Sequence, residues 1–163
     1  MFGRDDQTLP GALLGVLIEK KLTLTSAESC TGGLLGKLMT DTPGSSQAYF
    51  GGWITYTNAM KLDALGVAPE VLEQHGAVSA EVARAMADGA RRRLGADWAV
   101  SLTGIAGPGG GTEDKPVGLV HWAVAGPLGV EHRRRVFGGG RGAVRAWSVN
   151  AALDLLRRSL LAR

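Results

Sequence analysis

The sequence predicts an α/β layered domain, a mixed sheet with helices on both faces. Two observations carry the prediction. Strand-like segments alternate with segments of helical spacing along the first part of the chain, as in units whose parallel strands are joined by crossover helices. From Val117 onward the alternation stops, and two strand-like segments flank Gly126-Pro127-Leu128-Gly129, a hairpin turn that adds antiparallel pairs.

In order, Gly11 to Lys21 spaces Leu13, Leu14, Val16, Leu17 and Ile18 helically after Pro10, a residue suited to a first helical turn. Leu22 to Ala27 reads as a short strand, followed by the small residues of Glu28-Ser29-Cys30-Thr31-Gly32-Gly33 and a helix from Leu34 to Met39. Thr42-Pro43-Gly44-Ser45-Ser46 is turn chemistry, and Tyr49 to Thr57, aromatic and β-branched, is a strand. Asn58 is placed to cap a helix that Gly66 ends. A second short helix runs from Pro69 to Gln74, and Ser79 opens a longer one reaching Leu94. Trp98 to Leu102 is a buried strand, Val117 to Ala125 and Val130 to Phe137 form the hairpin, and Gly142 to Leu161 is a terminal amphipathic helix.

One domain over residues 1–163 fits the length, and area scaling buries about 69% of the unfolded surface, enough for a core without disulfides or a structural metal. With 45% hydrophobic and 20% charged residues the chain is globular rather than disordered. No apolar run is long enough to span a bilayer, and Asp5 and Asp6 stand where a leader needs positive charge, so a cytoplasmic protein with no membrane partner is expected. Cys30 is the single cysteine, and with three histidines it argues against a cysteine-rich zinc site; no metal or cofactor is expected. Residues 1–81 carry 5 basic and 9 acidic groups and residues 82–163 carry 13 and 6, so the second half (net +7) suits an anionic ligand.

The chemistry is sought where glycine-rich segments follow strands. The turn around Ser29 has two readings: a nucleophile beside free N–H groups that stabilise an oxyanion, or a hydroxyl cap with glycines for close packing. Cys30 reads as a buried, inert thiol. Ser46 lies on the same stretch of chain as Tyr56, Asn58 and Lys61; a partly desolvated lysine can serve as the base a serine needs where histidine is not to hand. His75, His121 and His132 fall in no motif, and Lys61 alone also fits a solvated helix face. Thr103 to Gly111 holds five glycines, a loop able to cradle phosphate, with Lys115 close behind it, yet it is equally readable as a flexible loop. Arg133-Arg134-Arg135 on a strand must alternate faces, while Arg141 and Arg145 share one side of the last helix.

Taken together and in order, Glu28-Ser29-Cys30-Thr31-Gly32-Gly33, Pro43-Gly44-Ser45-Ser46, Tyr56-Thr57-Asn58 with Lys61, Gly76-Ala77-Val78-Ser79, Thr103-Gly104-Ile105-Ala106-Gly107-Pro108 and Lys115-Pro116-Val117-Gly118 closely resemble the CinA C-terminal domain family. The match spans about residues 10 to 160. The resemblance implies a three-layer α/β/α fold with a mixed sheet, commonly dimeric. It also implies hydrolysis of the carboxamide of nicotinamide mononucleotide to nicotinate mononucleotide and ammonia by a Ser/Lys pair. Ser29 or Ser46 would attack, with both lining one pocket, Lys61 would be the base, and Tyr56 would relay a proton or orient Lys61. N–H groups around Thr31, Gly32 and Gly33 would hold the oxyanion. Asn58, the Thr103-Gly104-Ala106-Gly107 loop, Lys115, Arg141 and Arg145 would bind the nucleotide. One departure, glycines at 138–140 and 142 in place of a more polar segment, predicts a looser hold on the two arginines. Two other functions stay open: a non-catalytic nucleotide-binding module, and a competence-associated nucleic-acid binder, which the modest net charge of +3 and the lack of a recognised nucleic-acid motif disfavour.

Overall fold

Strands β1 (Leu24–Glu28), β2 (Tyr49–Ile54) and β3 (Trp98–Gly104) run parallel in the order β2-β1-β3. Strands β4 (Leu119–Gly126) and β5 (Gly129–Val136) complete the sheet as antiparallel neighbours, β3-β4-β5. The structure, a computed structural model, describes residues 8–162. Asp5 and Asp6, read above as unlike a leader, lie outside the described residues. Helices α1 (Leu9–Glu19), α2 (Leu34–Thr40) and α6 (Arg141–Leu161) pack together on one face of the sheet, and α3 (Asn58–Leu65), α4 (Pro69–His75) and α5 (Ala80–Leu94) on the other. This is the expected three-layer α/β/α arrangement with a mixed sheet. Among the described residues, no helix is long and apolar enough to cross a membrane.

The layers follow from the period of two along each central strand. In β3, Trp98, Val100 and Leu102 join Leu17, Met39 and Leu153 on the α1/α2/α6 side, while Ala99 faces the α5 side. In β4, Val120, Trp122 and Val124 again face α6, and Ala123 and Ala125 face α5 with Val82 and Met86. Large side chains therefore fill one interlayer space, and small ones let α5 lie close against the other face. Gly89 carries the same economy one layer outward, since a Cβ there would collide with the carbonyl oxygen of Leu65 at the end of α3. Ser101 anchors α5 from the sheet by donating to the Ala83 carbonyl at 2.6 Å.

Some boundaries differ from expectation. Thr57, not Asn58, caps α3: its backbone is extended and its Oγ1 accepts from Met60 N at 3.3 Å, so Asn58 becomes the first helical residue. Helix α1 begins earlier, at Leu9, because Thr8 caps it through Gly11 N. Strand β3 extends to Gly104, two residues past Leu102, paired throughout with β4. The three arginines of β5 alternate as predicted: Arg133 pairs with Glu131, Arg134 lines a cavity on the α5 side, and Arg135 lies over the Phe137 ring at 5.5 Å.

Candidate active site

The chain leaves β1 through α2 to reach β2 at the sheet edge, then crosses back over β1 through α3, α4 and α5 to enter β3. Beyond their carboxyl ends the neighbours β1 and β3 lead in opposite directions, β1 to β2 and β3 to β4, which is where open sheets of this kind place a crevice. Ser29 sits there, one residue past β1, its N–H donating to Leu102 O at 2.9 Å. The turn after it is held by a residue that sequence reasoning passed over. Glu28, the last residue of β1 and fully buried, accepts from Gly33 N (3.1 Å), Leu35 N (3.0 Å) and Gly36 N (2.9 Å). Its carboxylate does what no side chain at the N-cap Gly33 can do, satisfying three of the first N–H groups of α2. Gly33 N is therefore not free, and Gly32 N is also used, donating to Ser29 O at 3.0 Å. Among the described residues the N–H of Thr31 has no acceptor, and that of Cys30 has only its own thiol beside it.

Lys61 reaches Ser29 from α3. Its side chain is 1% exposed, and Nζ donates to Ser29 Oγ at 3.1 Å and to Thr55 O at 2.8 Å. Thr55 is fixed in turn, its N–H on Glu28 O at 2.8 Å. Among the described residues no carboxylate pairs with Lys61, so burial lowers its pKa below the ordinary lysine range, with Cys30 opposing. The neutral amine is thereby made accessible. Cys30 is shifted the other way: burial pushes its thiol up to about 11, which keeps it protonated and unreactive at neutral pH.

Ser29 and Lys61 open into a cavity of about 280 Å³, near the lower end of small-molecule sites. Tyr56, Asn58, Thr103, Gly104, Ala106, Gly107 and Arg141 line it as well. Thr103 Oγ1 donates to Ala77 O at 2.7 Å, tying the start of the glycine loop to the segment before α5. Farther along the loop, the N–H groups of Gly109 and Gly110 point to no acceptor among the described residues. Arg141 closes one side, donating to Gly107 O at 2.9 Å and to Tyr56 Oη at 3.0 Å.

Other expected site residues fall elsewhere. Ser46 lies in a 3₁₀ turn (Ser45–Gln47) before β2. The register pairs Leu24 with Tyr49, so that turn is at the amino end of the parallel strands and Ser29 at the carboxyl end. One pocket within this chain does not contain both serines. Tyr56 contacts Arg141 rather than Lys61, so Thr55 and Ser29 orient the lysine. Lys115 turns away to a second cavity, its Nζ donating to His75 O at 2.6 Å. Thr31, Gly32, Gly33 and Arg145 lie behind the cavity rather than on its wall: Arg145 Nη2 donates to Thr31 O at 2.7 Å. The expected looseness of the arginines is not found, because backbone carbonyls at Gly107 and Thr31 hold them in place of the missing polar residues.

Comparison with known proteins agrees with the fold. The family profile described as CinA C-terminal domain matches residues 6–160. A CinA-like protein of Parasynechococcus marenigrum is 54% identical over 99% of this chain and 39% of its own length, and one from Synechococcus sp. is 53% identical over 98% and 39%. The chain thus spans about two fifths of the length of these curated relatives. Among solved structures, the competence/damage inducible protein CihA from Agrobacterium tumefaciens superposes with a TM-score of 0.91 at 43% identity, covering 98% of both chains. A competence-damaged protein (CinA) superfamily protein from Klebsiella pneumoniae superposes with a TM-score of 0.91 at 34% identity, covering 95% of this chain and 97% of that one. A chain matched over nearly its whole length by the profile, by sequence relatives and by these structures belongs to the CinA C-terminal domain family.

Proposed function

We propose that the protein is a cytoplasmic amidohydrolase that converts nicotinamide mononucleotide to nicotinate mononucleotide and ammonia, with Ser29 as nucleophile and Lys61 as base. The observation that supports this most is the 3.1 Å contact between the buried Lys61 Nζ and Ser29 Oγ, open to a cavity. In the reaction, neutral Lys61 takes the hydroxyl proton as Ser29 Oγ attacks the carboxamide carbon. The oxyanion is held by the N–H groups of Cys30 and Thr31, already aimed because Glu28 and Arg145 fix the turn from behind. Lys61 then returns its proton to the departing nitrogen, which leaves as ammonia. Water, deprotonated by the same amine, hydrolyses the Ser29 ester and frees the carboxylate. The nucleotide phosphate lies toward the Gly109-Gly110 N–H groups and Arg141.

The test is ammonia release by the purified protein from nicotinamide mononucleotide and, separately, from free nicotinamide. Turnover of the nucleotide alone is expected. Equal turnover of both would remove the role of the phosphate-facing loop, and binding without ammonia release would favour a non-catalytic nucleotide module. Trapping the acyl intermediate identifies the nucleophile: Ser46→Ala still forms it, whereas Ser29→Ala does not.

A homodimer belongs to the same proposal. Strand β2 is a sheet edge, and Phe50 and Ile54 on it are 52% and 54% exposed, an arrangement that a second copy would cover. Light scattering is expected to give a dimer that Phe50→Lys weakens; a monomeric wild-type protein would remove this part of the reading.

A further inference from the structure

A second cavity, about 520 Å³, opens on the α5 side of the hairpin and takes no part in the chemistry above. The three histidines, unremarkable in the sequence, meet there from α4, β4 and β5. His121, only 6% exposed, places Nδ1 3.0 Å from His132 Nε2, and the rings stack with centroids 5.1 Å apart. That bond uses one nitrogen of each ring. His121 Nε2 keeps no partner among the described residues, although the ring lines the cavity and is otherwise buried. A buried imidazole with an unused nitrogen toward a cavity is a ligand-facing group.

The charges around the pair favour an anion. Lys115 and Arg134 line the cavity, and Arg84 and Arg133 act on His132 from α5 and β5. Against them stand Glu81, which its own backbone N–H and His75 partly satisfy, and Asp114, exposed on the rim. The start of α5, a fifteen-residue helix, adds its positive end to the same wall. Burial is the first cause lowering the pKa of both histidines, with nearby cations contributing, and it takes His121 to about 4. Burial and the nearby cations thus disfavour the charged imidazoles, His121 most, and an anion would offset part of that positive charge.

We propose that this cavity is a binding site for a tetrahedral oxyanion, the phosphate of a small molecule, held by Lys115 and Arg134 with the His121–His132 pair donating. Binding raises the affinity of the pair for a proton, so the anion binds more tightly as pH falls. The cavity also touches the one that holds Ser29 and Lys61 through Val78, which lines both. Lys115 holds the adjoining strap by its bond to His75 O.

The experiment follows the imidazole nitrogens of His121 and His132 by NMR while sulfate, whose charge is constant over the range, is added at pH 5.5 and pH 8. Saturable shifts are expected, with affinity at least about fivefold higher at the lower pH. Arg134→Met and Lys115→Met should each weaken binding by a similar factor; Arg134, an exposed strand residue whose side chain makes no hydrogen bond among the described residues, serves as the variant that leaves the fold unaltered. Sodium chloride at matched ionic strength should give no saturable shift. Ribose 5-phosphate binding more tightly than inorganic phosphate assigns the site to a phosphate ester, and equal binding assigns it to the free ion. No saturable shift with sulfate, or affinity unchanged by both substitutions or by pH, would overturn the proposal. None of these readouts depends on amide hydrolysis.

Discussion

Lys61→Ala is expected to lower kcat for the proposed nicotinamide mononucleotide hydrolysis by at least about 10²-fold, the scale of losing a general base. Lys61→Arg falls as far, because a guanidinium reaches Ser29 but stays charged and accepts no proton. In wild type, kcat for that reaction should rise with pH through the lowered pKa of Lys61 and level off above it, because the proposed mechanism needs the neutral amine. Stability moves in the same direction. The folded chain holds the Lys61 proton less tightly than the unfolded one, so stability rises from the depressed folded pKa up to the unfolded value of about 10.4. Lys61→Met, with no proton to lose, lacks that rise while remaining inactive. Steady-state rates across pH, paired with urea unfolding of wild type and Lys61→Met, read both effects. A Lys61→Ala enzyme with near-normal kcat would end the mechanism and leave the family assignment standing.

Glu28→Ala is expected to cost at least about 3 kcal/mol, because it strands three N–H donors in a buried place where hydrogen bonds to a charged acceptor had satisfied them. For a chain of this size that is a fall in Tm of roughly 6–12 °C. Glu28→Gln loses less but does not restore the wild type. Its amide oxygen can replace the acceptor of Gly33 and Leu35, yet the NH₂ group then faces Gly36 N–H, donor against donor. Thermal unfolding of the two variants orders them, wild type above Gln above Ala. A shift under about 2 °C for Glu28→Ala would mean that water satisfies the turn and that the carboxylate is not its anchor.

Most of the fold was legible because the signals were local. Turn residues bracket each segment, apolar residues repeat with the period of their element, and Ser79 caps α5 as read, its Oγ accepting from Val82 N at 3.2 Å. Adjacent capping candidates blurred one boundary, Thr57 against Asn58. The site was harder, for a physical reason. Ser29 and Lys61 could be named by residue type and neighbours, but whether Ser46 joined them hung on the register of β1 and β2, which a chain of residues does not display. Glu28 was missed because it caps a helix from the end of a strand, through main-chain donors five to eight residues on, a pattern with no residue signature at the receiving end. Lys115 sits near the glycine loop in sequence but folds to His75, forty residues away, and the histidines converge only after β4 and β5 pair.

The alanines on one side of the sheet have a bearing beyond packing. Lys61 rides on α3, α3 rests on α5 at the bare Cα of Gly89, and α5 rests on Ala99, Ala123 and Ala125. The gap between the amine and Ser29 is therefore metered by missing volume, each layer contributing a place where a side chain was left out. An added methyl group anywhere along that stack displaces the lysine rather than a surface loop, and misplacement on the order of 1 Å in a reacting pair costs roughly 10²-fold. On the opposite side, Leu and Trp side chains can be exchanged for others of similar bulk without the displacement being passed to Nζ. The two faces of one sheet thus differ in what they tolerate, one acting as a spacer ground to tolerance and the other as filling.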